Sequence, residues 1–319
     1  MFKWPVWIAL VWVAGLSGCA TTSPQLRDYL PSQASHVELV ATPFIAQEAY
    51  QCGPASLAML LQDSGVKISA AALKPRVYIP QLKGSLQAEM LAATRDLGRM
   101  PYPIAPRLDA LLAELRLGRP VLVLQNLGFD FYPVWHYAVV VGYDAQADHI
   151  ILRSGTTRRK LKPTWHFLRD WSKSDFWGVA ALLPGTLPAD ASAQRYLEAA
   201  ASLESAGKTQ AARLAYASAV SHWPEQPAGW LGLGNVQYAE ADSQAAIQTY
   251  KRALNRLGNI PVIHNNLAQV LADQGCKQAA SKHVKLALQS APQALRPAIL
   301  DTQKNIEALP GLSEPCEQP

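Results

Sequence analysis

The strongest constraint on this chain is a step of 34 residues that repeats through its second half. Ala212, Ala246 and Ala280 keep the step, and so do Ala219, Ala253 and Ala287. Tyr216 and Tyr250 follow it as well, with Val284 in the third place, and Pro224 and Pro292 lie two steps apart with Gly258 between them. A fixed period of this length means one supersecondary unit used several times, each burying its apolar face against the next. Small alanines let two antiparallel helices approach closely, the tyrosine fills the groove between them, and proline or glycine stops the second helix.

The period and its residue types resemble the tetratricopeptide repeat. The middle unit carries Trp230, Leu233 and Gly234 at that family's first-helix positions, where the first unit has Tyr196, Ala199 and Ala200 and the third has His264, Leu267 and Ala268. Such departures suit end units that act as caps; a generic helical bundle is the alternative, against which the threefold coincidence argues. The resemblance implies an all-α solenoid over residues 190–308, three repeats and a capping helix, with a tail at 309–319. It also implies a concave face that binds a peptide or protein partner.

Before Leu183-Pro184-Gly185-Thr186-Leu187-Pro188 the pattern differs, with short apolar runs broken by glycine and proline. A chain of 319 residues has room for two domains, and residues 36–184 read as a mixed α+β domain. Helices are expected over Ala55–Leu61, Leu86–Leu97 and Leu108–Leu117. Strands are expected at His36–Leu39, Phe44-Ile45, Val121–Leu124, His136–Tyr143, His149–Leu152 and Val179–Leu183.

Chemistry concentrates in Gln47-Glu48-Ala49-Tyr50-Gln51-Cys52-Gly53-Pro54-Ala55-Ser56-Leu57-Ala58-Met59-Leu60. Cys52 stands just before an apolar helix, whose free N–H groups favour an anion and are expected to draw the thiol pKa down. Gly53 lets a substrate backbone come close, and Pro54 suits a first helical turn. The stretch is similar to the bacteriocin-processing peptidases that trim double-glycine leaders, and to their stand-alone relatives. The resemblance covers residues 36–184 and includes Gly84-Ser85-Leu86 and Arg119-Pro120-Val121-Leu122. It implies a papain-like fold, a cysteine nucleophile at Cys52 and an oxyanion-hole glutamine at Gln47, one residue closer to the cysteine than is common. Trp135-His136-Tyr137-Ala138-Val139-Val140-Val141-Gly142-Tyr143-Asp144 matches the family's histidine strand, with His136 as general base and acid.

The resemblance breaks at the third catalytic member. Where the family has an acidic residue or asparagine, this chain reads Leu152-Arg153-Ser154-Gly155. Ser154 can offer the imidazole a hydroxyl, whereas Arg153, if it faced the ring, would oppose its protonation. Asp144 reads as a turn residue. A Cys52–His136 dyad can still work, since the third member orients more than it reacts. A silent peptide-binding lipoprotein is the alternative. A cell-wall amide hydrolase is less favoured, because Gln51-Cys52-Gly53 stands where such enzymes show Asp-Cys-Ser.

The first nineteen residues bear on compartment. Lys3 precedes the apolar run Trp4 to Leu16, which is short for a membrane span but fits a signal peptide. Leu16-Ser17-Gly18-Cys19 resembles the lipobox of bacterial lipoproteins, which implies acylation of Cys19 and, with Ala20 following, an outer-membrane anchor facing the periplasm. Residues 20–35 read as a tether. In an oxidising compartment Cys276 and Cys316 can form a disulfide, or remain two thiols. The histidines show no metal-ligand spacing and no cofactor motif is present, so neither is expected. The +5 charge is dispersed apart from Arg158-Arg159-Lys160-Leu161-Lys162, which argues against nucleic acid as a partner.

Overall fold

The computed structural model describes residues 25–31 and 35–310. Cys19 with the signal segment, and Cys316 with the end of the tail, lie outside the described residues. The first part of the chain runs β1 (His36–Glu38), α1 (Cys52–Asp63), α2 (Ala70–Val77), α3 (Gln87–Asp96), β2 (Met100–Pro103), α4 (Leu108–Arg116), β3 (Val121–Asn126), β4 (Trp135–Asp144), β5 (His149–Ser154), β6 (Thr157–Pro163), α5 (Thr164–Ser172) and β7 (Gly178–Leu182). Phe44-Ile45 is loop, not strand. Four elements lack an apolar signature in the sequence. β2 contains two prolines, β6 is a charged edge strand, α2 has Pro75 within it, and α5 is short and mixed. Charge on an edge strand discourages further pairing.

The strands form one antiparallel sheet in the order β2-β7-β3-β4-β5-β6, with β1 also paired to β4. β3 pairs with Trp135 to Val140 of β4, and β1 takes the same side farther along, at Gly142 to Asp144. On the other side β5 pairs with β4 only from Val139 onward. Alternation along β4 sends Tyr137, Val139 and Val141 to one face, where Leu57, Leu60 and Leu61 of α1 bury them. Ala138 and Val140 go to the opposite face, under Leu108, Leu111 and Leu115 of α4 and Phe167 and Trp171 of α5. This is the papain-like α+β plan expected from the sequence, and it is followed by a helical solenoid.

That solenoid comprises α6 (Ala193–Ser205), α7 (Thr209–His222), α8 (Pro227–Ala239), α9 (Ser243–Leu257), α10 (Pro261–Asp273), α11 (Lys277–Ser290) and α12 (Arg296–Ala308). First helices begin at Ala193, Pro227 and Pro261 and second helices at Thr209, Ser243 and Lys277, so the 34-residue step is that of three helix pairs. The tyrosines act as the period suggests. A Cβ on Gly232 would come within 2.2 Å of the Tyr216 ring, and one on Gly234 within 2.3 Å of the Tyr250 ring. Each ring occupies the space that a side chain on α8 would need. Cys276, immediately before α11, is disulfide-bonded.

The array is built onto the sheet. One buried cluster runs without a break from Met100, Tyr102 and Trp171 to Tyr196, Ala200, Leu203 and Tyr216. Polar contacts fix the connection. Buried Glu114 pairs with Arg119 at 2.5 Å and accepts the Ala189 N–H at 2.6 Å. The Asp190 carbonyl accepts from the Tyr102 hydroxyl and from Arg195, each at 3.2 Å.

Candidate active site

The site lies where β4 and β5 part. Because β5 pairs with β4 only from Val139, the Tyr137 main chain on that side has no strand partner. Unpaired peptide groups in a protein interior need other partners, and α1 and the loop before it supply them. The Tyr137 carbonyl accepts from Ser56 Oγ at 3.1 Å and from Gln47 Nε2 at 3.4 Å. The Tyr137 N–H points to the Cys52 sulfur. Cys52 and Ser56 are one helical turn apart and so share a face of α1. The helix start is thereby fixed against the residue that follows His136.

Cys52 occupies the first position of α1, where N–H groups lack intrahelical partners. The amides of Tyr137, Gly53 and Cys52 itself all favour its thiolate. Burial outweighs them and pushes the thiol pKa up. The downward shift expected from the helix start alone is therefore reversed, because among the described residues no cation acts on the sulfur to offset its desolvation.

His136 lies on the opposite face of β4 from Tyr137, toward α5. Its Nε2 is 2.9 Å from Ser154 Oγ. The register explains the contact. Arg153 is opposite Val139, so Ser154 falls beside Ala138 on the same face as His136. The pairing leaves Nδ1 as the ring nitrogen available to a thiol. Among the hydrogen bonds of the described residues, His136 is joined to Ser154 and not to the sulfur. Burial, with Lys160 and Lys162 adding repulsion, pulls the imidazole pKa down to about 4. At neutral pH the resting pair is thus thiol and neutral imidazole.

Arg153 faces away from the ring. Its guanidinium donates to the Arg158 carbonyl at 2.6 Å and, at 3.5 Å each, to the carbonyls of Leu39, Val40 and Thr42, tying β5 to the loop after β1. Asp144 closes a turn, its Oδ1 accepting the N–H groups of Gln146 and Ala147. Gln47 stands in the cleft wall with Nε2 3.0 Å from Ser56 Oγ, besides its longer bond to Tyr137. Ser56 and the Tyr137 main chain were not singled out from sequence. The available signal was a lone serine within the apolar run Gly53 to Leu61, one turn after the cysteine.

Cys52, His136 and Gln47 line one cleft of about 900 Å³. One lip carries Tyr50, Leu82 and Leu86 and the other Tyr132, Val134 and Trp135, all exposed. Tyr50, two residues before the nucleophile candidate, has a left-handed backbone (φ 62°), a conformation that costs energy outside glycine and often accompanies functional sites. Among the described residues no group of three or more His, Cys, Asp or Glu side chains is arranged to hold a metal ion.

The Peptidase_C39 like family matches residues 39–176. No match was found among curated proteins. A C39-like peptidase from Bacillus anthracis is similar in structure, at 16% identity and a TM-score of 0.40, over 47% of this chain and 98% of that one. The Yersinia enterocolitica type III secretion chaperone SycD, solved with a peptide of the translocator YopD, is similar at 18% identity and a TM-score of 0.34, over 36% of this chain and 89% of that one. Residues 39–176 are thus similar to the Peptidase_C39 like family and are followed by a helical array.

Proposed function

We propose that the chain is a cysteine peptidase of the bacterial cell envelope, held to the outer membrane by lipid on Cys19 and facing the periplasm. Its substrate is an extended peptide or protein segment laid between the two apolar lips. The Cys52 sulfur attacks the scissile carbonyl carbon while its proton passes to Nδ1 of His136. The new S–C bond places the carbonyl π pair on oxygen, within reach of the free N–H groups at the start of α1. Gln47 joins them by giving up its 3.4 Å bond to Tyr137. His136 then protonates the leaving amine, and the C–N bond breaks to leave a thioester. Water, deprotonated by the same ring, hydrolyses it to the acid and the free thiol. Ser154 holds the imidazole.

The observation that carries this reading is the Tyr137 main chain, which joins the start of α1 to the residue beside His136. The helical array is assigned to holding a peptide or protein partner. Digestion of a defined peptide mixture, followed by mass spectrometry, is the test. Cleavage by the wild-type chain that disappears in Cys52→Ala and His136→Ala supports the proposal. No cleavage by a wild-type chain whose Cys52 still alkylates would overturn it.

A second reading has an observation behind it. The raised thiol pKa, the lowered imidazole pKa and the hydroxyl in place of a carboxylate also suit a cleft that binds peptides without cutting them. Saturable binding of peptides that remain intact would favour this one.

A further inference from the structure

Resting on the peptidase reading, we propose that Ser85 is a further catalytic residue, whose hydroxyl donates to the oxyanion from the cleft wall facing Gln47. Ser85 lies in the turn before α3, and its side chain is packed against Gly53. A Cβ built on Gly53 would stand 2.2 Å from Ser85 Oγ and 2.6 Å from Ser85 Cβ. In an α-helix the Cα–Cβ direction leans toward the N-terminus. The hydroxyl therefore packs on the first turn of α1, whose N–H groups lack intrahelical partners. Gly53 is required here because any side chain would displace this serine.

Ser85 Oγ is a buried atom with no hydrogen-bond partner among the described residues. A hydroxyl out of water normally finds a partner. One beside a helix N-terminus, on the edge of the cleft that holds the nucleophile candidate, has a donor to give to negative charge. The wall that carries it is fixed, since the Tyr137 hydroxyl donates to the Ser85 carbonyl at 3.3 Å. Gln47 is the contrasting case, because its Nε2 already donates to Ser56 Oγ and to the Tyr137 carbonyl at rest. Ser85 is uncommitted at rest and becomes satisfied when the carbonyl oxygen gains charge.

The test separates hydrogen bonding to the tetrahedral oxygen from ordinary binding of the peptide. A peptide aldehyde adds the Cys52 thiol reversibly: the S–C bond forms, the carbonyl π pair moves to oxygen, and the thiol proton ends on that oxygen in the neutral adduct. The matching peptide alcohol fills the cleft without forming it. Affinities of a panel of acetyl-dipeptide aldehydes and their alcohols are measured on wild type, Ser85→Ala and Ser85→Thr, with the rate of Cys52 alkylation by iodoacetamide measured alongside. Ser85→Ala is expected to weaken the aldehydes by about 10-fold, on the scale of one hydrogen bond lost to a neutral oxygen. The alcohols and the alkylation rate should stay within about 2-fold, with Ser85→Thr recovering much of the loss. Equal weakening of aldehyde and alcohol, or none of either, overturns the role of Ser85 while leaving the peptidase reading intact. Failure of the wild-type chain to form any aldehyde adduct, with Cys52 still alkylated, overturns both.

Discussion

His136 Nε2 lies 2.9 Å from Ser154 Oγ across the parting of two strands, so a neutral hydroxyl holds the ring where the peptidases that the sequence resembles carry an acidic residue or asparagine. A hydroxyl fixes orientation but adds no negative charge to stabilise an imidazolium. Burial, and then Lys160 and Lys162, pull the imidazole pKa down to about 4. Ser154→Asp is expected to raise the His136 pKa by about 1–3 units, with the acid limb of the kcat/KM profile moving up accordingly. Ser154→Ala should lower kcat about 10-fold, in line with a modest contribution from orientation, and leave KM nearly unchanged. NMR titration of the ring checks the first outcome and steady-state kinetics the second.

The same groups set the pH range of activity. The reactive resting state pairs a thiol with a neutral imidazole. It persists from the His136 pKa of about 4 up to a Cys52 pKa above the ordinary thiol value of ~8.5. The kcat/KM profile is therefore expected to be broad. The rate of iodoacetamide alkylation, which follows the thiolate, should still be rising at pH 8.5. A thiol titrating well below that value would show an ion pair that this geometry lacks.

The third helix pair carries an acid-sensitive contact. Nδ1 of His264 lies 2.9 Å from Nδ1 of His283, so at most one of the two can be protonated there without losing the bond. Burial lowers both pKa values, and for His283 the neighbouring His264, Lys282 and Lys251 take it to about 4. Both values fall below the ~6.5 of a free imidazole, so the unfolded chain binds protons first as pH drops. Stability is fully present above ~6.5 and is lost on the way down toward about 4. His136 contributes with the same sign. His283→Gln should remove on the order of 1 kcal/mol of this loss, read as a smaller fall in urea midpoint between pH 7 and pH 5.

Much of this architecture was legible because it rests on periodicity and on residues with restricted conformations. The 34-residue step marked the helix pairs, and Cys52-Gly53-Pro54 marked a helix start. Ser154 could be placed near His136 by counting along a hairpin, and the register agrees. The thiol's electrostatics were not legible, since burial depends on packing between α1 and β4. Nor were Ser56 and Ser85, whose roles come from what lies across the cleft. β6 was missed because Arg158-Arg159-Lys160-Leu161-Lys162, a charged edge strand, has no apolar alternation to detect.

A repeat array suggests a separable module, but the buried cluster joining Tyr102 to Tyr196 makes the first helix pair part of the core of the α+β domain. Truncation after residue 190 should expose that face of β2 and impair folding and thiol reactivity together. Tyr196→Ala should cost about 3–5 kcal/mol, as for other large aromatic truncations, and lower the unfolding midpoint of both halves as one transition. Separate transitions in calorimetry would contradict this.

The most direct measurement is formation of an acyl-enzyme on Cys52. Mixed with N-blocked amino-acid p-nitrophenyl esters near neutral pH, the wild-type chain should release a burst of nitrophenolate equal to the protein present and carry the acyl mass on Cys52. Cys52→Ala should give no burst, and His136→Ala a burst slowed by about 100-fold or more, the range for a lost general base. A wild-type chain that shows neither burst nor acyl mass, while its Cys52 reacts with iodoacetamide, would contradict the account.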